Sequence, residues 1–281
     1  MKKIILPTDF SENAWNAIFT ALKLYADVKC HFYIVNAYEP GVLKPLASEG
    51  HKRLDVIYES LSQQSNKELA EILTYLDKNH NNPHHSFETI SVESTFEEAM
   101  KKLVSEKDAD LIIMGTQGAT GAKQVFLGSN TVKVLNGLKN IPVLAVPDSF
   151  NFQKLKTVIF ATDFMKGYAK SELDSLLELV RIWNAKVEMI HVAEEFTLND
   201  TQQTNKAILE ERFSGLPYTF MDLPFTASTA HTIGQHTANR NNDILGIIRH
   251  HHTFWEKVIG EPVVKKIAFH TTIPVLFLPE K

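Results

Sequence analysis

The chain has 281 residues, enough for one large domain or two of ordinary size, and its 44% hydrophobic and 22% charged content is the balance of a soluble protein with a sizeable core. Its 29 Lys and Arg against 33 Asp and Glu leave a formal charge of −4, so no basic surface is expected for nucleic acid or an anionic membrane. A single cysteine, Cys30, excludes an intramolecular disulfide and a thiolate metal cluster and suits a reducing, cytoplasmic setting, and no apolar run approaches the roughly 20 residues of a membrane helix.

The start, MKKIILPTDFSENAW, holds an apolar run at Ile4–Leu6, and Asp9 and Glu12 interrupt it too early for a secretory leader. Ser11 is the expected N-cap of a helix whose apolar face is Ala14, Ile18, Ala21 and Tyr25. A second strand is expected at Phe32–Val35. The stretch NHNNPHH, with His84 and His85, is expected to be a solvated loop. Ser94-Thr95-Phe96-Glu97 has the form of a capping box and predicts a helix through about Val104. Strands at Leu111–Met114 and Val143–Val146 bracket a glycine-rich loop and a helix over Thr131–Leu138, with Ser129 as its cap. Strands that are apolar almost throughout, alternating with helices, predict a parallel sheet covered on both faces, the doubly wound α/β arrangement.

The pattern then repeats. KKIILPTDFSENA from Lys2 matches LKTVIFATDFMKGYA from Leu155, HFYIVNAYEP matches VEMIHVAEEF, and IPVLAVP at Ile141 matches IPVLFLP at Ile273. Three matched segments in one order indicate a tandem duplication joined near Asp148–Lys154. Asp9 and Asp163 lie 154 apart, Asp110 and Asp243 only 133 apart, so the second copy lacks 154 − 133 = 21 residues before its fourth strand. Most of that length corresponds to Gly41–Asn82 of the first copy. In the second copy, Leu173, Leu176, Val180 and Trp183 carry the helical spacing.

The loop Gly115–Asn130, GTQGATGAKQVFLGSN, concentrates four of the chain's twelve glycines in sixteen residues. It follows the fourth strand and leads into a helix, at the carboxyl edge where open α/β sheets bind ligands. Glycines there allow close backbone approach, and the amides at a helix start favour an anion. The spacing is neither a Walker P-loop nor a Rossmann G-x-G-x-x-G.

Gly115-x-x-Gly118, nine residues, then Gly128-Ser129 resembles the ATP-binding signature G-2x-G-9x-G-[ST] of the universal stress protein family. PTDFS at Pro7 and IPVLAVP are similar to that family's first-strand ending and last strand. The resemblance covers nearly the whole chain as two tandem domains, 1–148 and 153–281. It implies adenine nucleotide alpha hydrolase-like folds with mainly parallel five-stranded sheets. It also implies pairing of the two last strands in an intramolecular pseudo-dimer, a form compatible with further homodimerisation. By position, Pro7, Thr8 and Asp9 correspond to the segment on adenine and ribose, and Ala37 to the lining of the adenine pocket. Met114 and Gly115 correspond to residues beside ribose and phosphates, and Gly118, Gly128, Ser129 and Asn130 to the phosphate cradle. The implied cofactor is ATP, with or without Mg²⁺.

The matching stretch of the second copy, IIRHHHTFWEKVIG (Ile247–Gly260), keeps one glycine, and Glu261 and Pro262 stand where the phosphate-binding start of the helix would be. A carboxylate there repels phosphate and proline removes an amide, so no ATP is expected in the second copy. His250-His251-His252 lacks a further ligand at metal spacing, and no metal site is assigned. Arg249 beside these histidines is a candidate receiver for an acidic ligand. With no Walker B carboxylate or placed general base, no catalytic residue is assigned, and the expected activity is regulation by nucleotide. The alternatives are a scaffold binding a non-nucleotide ligand near Met221–Thr229, or a nucleotidyl-transferring enzyme.

Overall fold

A computed structural model describes residues 1–39, 51–116, 127–193, 197–238, 240, 243–249 and 272–280, with side chains of residues 51–58 left aside. Strands and helices alternate: β1 (Lys2–Pro7), α1 (Glu12–Leu24), β2 (Cys30–Tyr38), α2 (His51–Asn79), β3 (His85–Glu93), α3 (Phe96–Lys107), β4 (Leu111–Gly115), α4 (Ser129–Gly137) and β5 (Val143–Val146). The series then restarts with β6 (Thr157–Ala161), α5 (Lys170–Trp183), β7 (Lys186–Ala193), α6 (Asp200–Arg212), β8 (Tyr218–Pro224), α7 (Thr229–Thr237), β9 (Asp243–Ile248) and β10 (Val275–Leu278).

All ten described strands form one sheet in the order β3-β2-β1-β4-β5-β10-β9-β6-β7-β8. The order reads the same from either edge, because β6 to β10 retrace the places of β1 to β5. Described neighbours are parallel except at the centre, where β5 and β10 run antiparallel with Leu144 opposite Leu276. Ile4, Ile5, Ile112, Ile113, Leu144 and Leu276 are fully buried, as expected of strands covered on both faces. The 21-residue difference between the halves falls largely in one crossover, where α2 has 29 residues and α6 has 13. No described helix is long and apolar enough to cross a membrane.

The helices follow their expected faces, with three adjustments. α1 buries Ala14, Ile18 and Ala21, and Ser11 Oγ accepts from the Ala14 amide at 3.3 Å. The box that opens α3 is shifted by one residue. Thr95 is the N-cap, accepting from the Glu98 amide at 3.3 Å, and Glu98 Oε2 takes the Ser94 and Thr95 hydroxyls. The helix continues to Lys107 because Asp108, at φ 50°, supplies a left-handed C-cap. α4 begins at Ser129 with Gly128 as N-cap and no side-chain cap bond, so Ser129 is the first helical residue rather than the cap.

His85 is not a solvated loop residue. It opens β3, and its ring stands 2.8 Å from His80 Nε2 and 3.0 Å from the Tyr25 carbonyl. Burial lowers the pKa of both histidines.

The segment between the two halves is packed. Asn16 Nδ2 donates to the carbonyls of Pro147 (2.9 Å) and Phe150 (2.7 Å), and Lys23 Nζ to that of Phe152 (3.1 Å). Phe150 and Phe152 are buried, and Trp183 Nε1 donates across the join to the Leu24 carbonyl at 2.9 Å.

Candidate functional site

Within the first half, the chain leaves β1 toward β2 and β3 on one side, and β4 and β5 lie on the other. The order therefore reverses between β1 and β4, and their carboxyl ends frame the crevice where such sheets place ligands. β1 pairs with β4 at Ile4–Leu111 and Ile5–Ile112, and continuing that register sets Pro7 level with Met114 and Thr8 with Gly115. On the other flank Pro7 pairs with Val35, which sets Asp9 level with Ala37.

The turn after β1 is fixed by its own side chains. Thr8 is buried, and its Oγ1 accepts from the Phe10 amide at 2.9 Å. Phe10 takes φ 64°, a left-handed backbone that side-chain hydrogen bonds must hold. Asp9 Oδ1 accepts from the Ser11 amide (3.1 Å) and hydroxyl (2.5 Å), and Asn36 Nδ2 donates to the Thr8 carbonyl at 2.8 Å. Asp9 itself is exposed at the rim.

The opposite rim is built from β4 and α4. The Thr116 amide continues the sheet to the Val146 carbonyl (2.9 Å), and the Gly128 amide donates to the Thr116 carbonyl (2.5 Å). Thr131, buried, donates its hydroxyl to the Gly115 carbonyl at 3.1 Å. Together these contacts hold the start of α4 against the end of β4. The first intrahelical bond runs from the Val132 amide to the Gly128 carbonyl at 3.0 Å. The amides of Ser129, Asn130 and Thr131 thus have no intrahelical acceptor, and the positive end of the helix dipole stands with them. Ser129 and Asn130 are exposed. Free amides and a positive dipole end of this kind favour an anion.

Gly115 has a steric reason of its own. A Cβ there would lie 2.3 Å from Asn13 Oδ1 and 3.1 Å from the Asn13 carbonyl oxygen. Asn13 is buried on the first turn of α1, and its Nδ2 donates to the Val146 carbonyl at 3.1 Å. The glycine therefore admits α1 against the strand end. Sequence reasoning missed Asn13. Its signal was an exchange between the copies, in which the Asn13/Gly115 positions become Gly167 and Ile248. Thr116, Thr131 and Asn36 were also missed, since a lone Thr or Asn in a run of such length carries no distinctive pattern.

Of the sequence-predicted residues, Met114, Gly115, Gly128, Ser129 and Asn130 form this rim, while Pro7, Thr8, Asp9 and Ala37 form the facing one. Gly118 lies outside the described residues, as do His250, His251, His252, Gly260, Glu261 and Pro262. No group of three His, Cys, Asp or Glu among the described residues is placed to hold a metal ion. A separate cleft of about 510 Å³ lies between the halves near Lys2, Asp110, Glu172 and Glu178. Lys2 Nζ pairs with Glu178 Oε2 (2.5 Å), while Asp110 accepts from the Lys3 amide (2.7 Å) and Glu172 from the Ala169 amide (2.7 Å).

In the second half the turn after β6 carries contacts from the following crossover. Gln202 Nε2 donates to the Asp163 carbonyl (3.0 Å) and Asn205 Nδ2 to the Phe164 carbonyl (2.8 Å), so α6 lies on the turn after β6. Lys206 Nζ stands 4.6 Å from the Phe220 ring centre. Within the run after Phe220, Leu223 joins the core, while Met221 and Phe225 are exposed on and just after the edge strand β8. Arg249, the counterpart of Thr116, does not face outward to an acidic ligand. Its guanidinium is buried against the C-terminal carbonyls of α4. Burial lowers its pKa to about 10, which leaves it a cation at neutral pH.

A sequence model of the universal stress protein family matches residues 1–147. Two similar proteins come from Methanocaldococcus jannaschii. Universal stress protein MJ0531 is 28% identical over 145 residues, covering 52% of this chain and 81% of the relative. Universal stress protein MJ0577 is 28% identical over 153 residues, covering 52% and 94%. Along the whole length, the crystal structure of a universal stress protein from Archaeoglobus fulgidus DSM 4304 is similar in fold, with 18% identity, a TM-score of 0.64, and coverage of 99% of this chain and 96% of that one.

Proposed function

The chain belongs to the universal stress protein family, and from that premise we propose that it is an ATP-binding member whose nucleotide state regulates a stress response. The observation that carries this reading is the set of three amides, Ser129 to Thr131, left without intrahelical acceptors at the sheet's switch point. Bound ATP would supply a polyanion and a flat aromatic base. The chain's part is to orient both. The amides and the Ser129 hydroxyl donate to phosphate oxygens, with Gly118, Gly128 and Asn130 completing the cradle and Mg²⁺ balancing the remaining charge. Met114 and Gly115 lie beside the ribose and phosphates, and Pro7, Thr8, Asp9 and Ala37 take the adenine and ribose. No side chain is assigned a proton-transfer role, so the reading is a nucleotide-responsive regulator in the cytoplasm rather than a dedicated catalyst.

In the same reading the chain consists of domains 1–148 and 153–281 that act as an intramolecular pseudo-dimer. The antiparallel β5–β10 pairing supports it, since each strand covers what would be an apolar edge of the other. The second domain is a partner rather than a second ATP site, supported by Gln202 and Asn205 occupying the turn carbonyls.

The test is titration calorimetry of the purified chain with ATP. Saturable binding that Gly118→Val abolishes, with the fold intact by circular dichroism, is the expected result. Equal binding by both proteins contradicts it.

A further inference from the structure

We propose that Arg249 of the second half is a positioning residue for the nucleotide site of the first, holding the far end of α4 and so fixing where its N-terminal amides stand. The inference rests on the reading of residues 115–130 as an ATP site.

Arg249 follows β9, and its amide continues the sheet to the Leu278 carbonyl at 2.9 Å, as the Thr116 amide does to Val146 at the same distance. The repeat therefore places a short side chain at this point in one half and a long cationic one in the other. That long side chain crosses the β5–β10 seam. Nη1 donates to the carbonyls of Leu135 (3.0 Å) and Leu138 (2.8 Å), and Nη2 to those of Lys139 (3.3 Å) and Ile141 (2.5 Å). All four acceptors belong to the last turn of α4 and its turn into β5. Arg249 is only 8% exposed, and its Nε has no partner among the described residues. The side chain is thus committed to these carbonyls and to nothing else described.

α4 has little of its own to close that end. Its last turn contains no basic residue, and its C-cap, Leu138 at φ −119°, is not the left-handed residue that usually satisfies terminal carbonyls. The arginine from the other half supplies the missing donors. It also puts a cation at the negative end of the helix dipole, whose positive end faces the proposed phosphates. The nine-residue helix is about 14 Å long. Its front is tied to β4 through Thr131 and Gly128, and its back to Arg249. A short helix moves as a rod, so slack at the back displaces the amides at the front. The degenerate half thus completes the site without touching the ligand.

The experiment uses the full chain and three variants, Arg249→Met, Arg249→Lys and Arg240→Ala. Each is measured for ATP affinity by calorimetry, for urea stability, and for hydrogen exchange over residues 129–138. Arg240 pairs with Glu188 and Asp243 within the second half (3.0 Å each) and serves as a control for general destabilisation. Arg249→Met is expected to bind ATP about tenfold more weakly, with faster exchange across α4. Arg249→Lys is expected to recover part of the affinity, since it restores charge without the fork that spans four carbonyls. Arg240→Ala should lose stability and keep the affinity of the unaltered chain. A folded Arg249→Met with unchanged affinity overturns the proposal, as does a loss in Arg240→Ala matching that of Arg249→Met. If Arg249→Met does not fold, unchanged affinity and exchange in Arg249→Lys overturn it. No ATP binding by the unaltered chain overturns the nucleotide reading instead, and the exchange profile of Arg249→Met then decides separately whether Arg249 holds α4.

Discussion

The turns after β1 and after β6 are nearly the same object in different surroundings. Phe10 and Phe164 take φ 64° and 56°, each held by a threonine hydroxyl, from Thr8 at 2.9 Å and Thr162 at 3.0 Å. Asp9 and Asp163 each accept the amide two residues on, at 3.1 Å and 3.0 Å. Yet Asp9 of the first turn is exposed, while the second turn carries Gln202 and Asn205 of the shorter crossover on its carbonyls. The Thr-Asp-Phe segment is therefore a folding device common to both halves. The difference that bears on the proposed nucleotide site lies at the end of the neighbouring strand, where Ile248 and Arg249 of the second half stand at the positions of Gly115 and Thr116.

The strongest way to break this comparison is at the seam. Leu144 and Leu276 are opposite one another and fully buried, so alanine at either should cost about 2–5 kcal/mol in urea unfolding. Because they share one contact, the double variant should cost less than the sum of the singles. Additive losses would mean the halves are energetically separate.

The next effect is Gly115→Ala, expected to cost about 1–3 kcal/mol because its Cβ would meet Asn13 Oδ1 at 2.3 Å. Adding Asn13→Gly, which copies the size exchange seen in the second half, should recover part of that loss in the same assay. No recovery would remove the steric account of this glycine.

Opening the second crevice is a smaller change. Asn205→Ala leaves the Phe164 carbonyl without its donor and should cost about 1–2 kcal/mol, measured by thermal melting. On the proposed reading it should add no ATP binding, since Ile248 and Arg249 still stand at the positions of Gly115 and Thr116.

The smallest effect concerns the outer edge, where His80 and His85 fasten β3 in the first half. Burial lowers the pKa of both in the fold, so the unfolded chain binds more protons once pH falls toward the ordinary histidine value of about 6.5. Stability from this pair is full above that pH and declines below it. His80→Gln should therefore show a smaller drop in melting temperature between pH 7.5 and 5.5 than the unaltered chain does. An equal drop would contradict the assignment.

Much of this architecture was legible because its signals are local and repeated. The strands are uniform apolar runs, and the paired TDF and IPVL segments gave strand correspondence before any coordinate. The length difference between Asp9–Asp110 and Asp163–Asp243 located the shortened crossover. What escaped the sequence depended on contacts between distant segments. Asn13 matters because it faces Gly115, about a hundred residues away. Arg249 reads as a loop residue beside histidines until the seam brings it under α4. The caps of α3 and α4 were misassigned by one residue, since adjacent Ser94 and Thr95, or Gly128 and Ser129, satisfy the same preferences and only backbone geometry separates them.

Native mass spectrometry of the full chain with excess ATP tests the central claim most directly, because it counts ligands on one molecule carrying both kinds of crevice. One ATP per chain, lost on Gly118→Val and retained on Asn205→Ala, is the predicted result. Two per chain, or one that survives Gly118→Val, would contradict it.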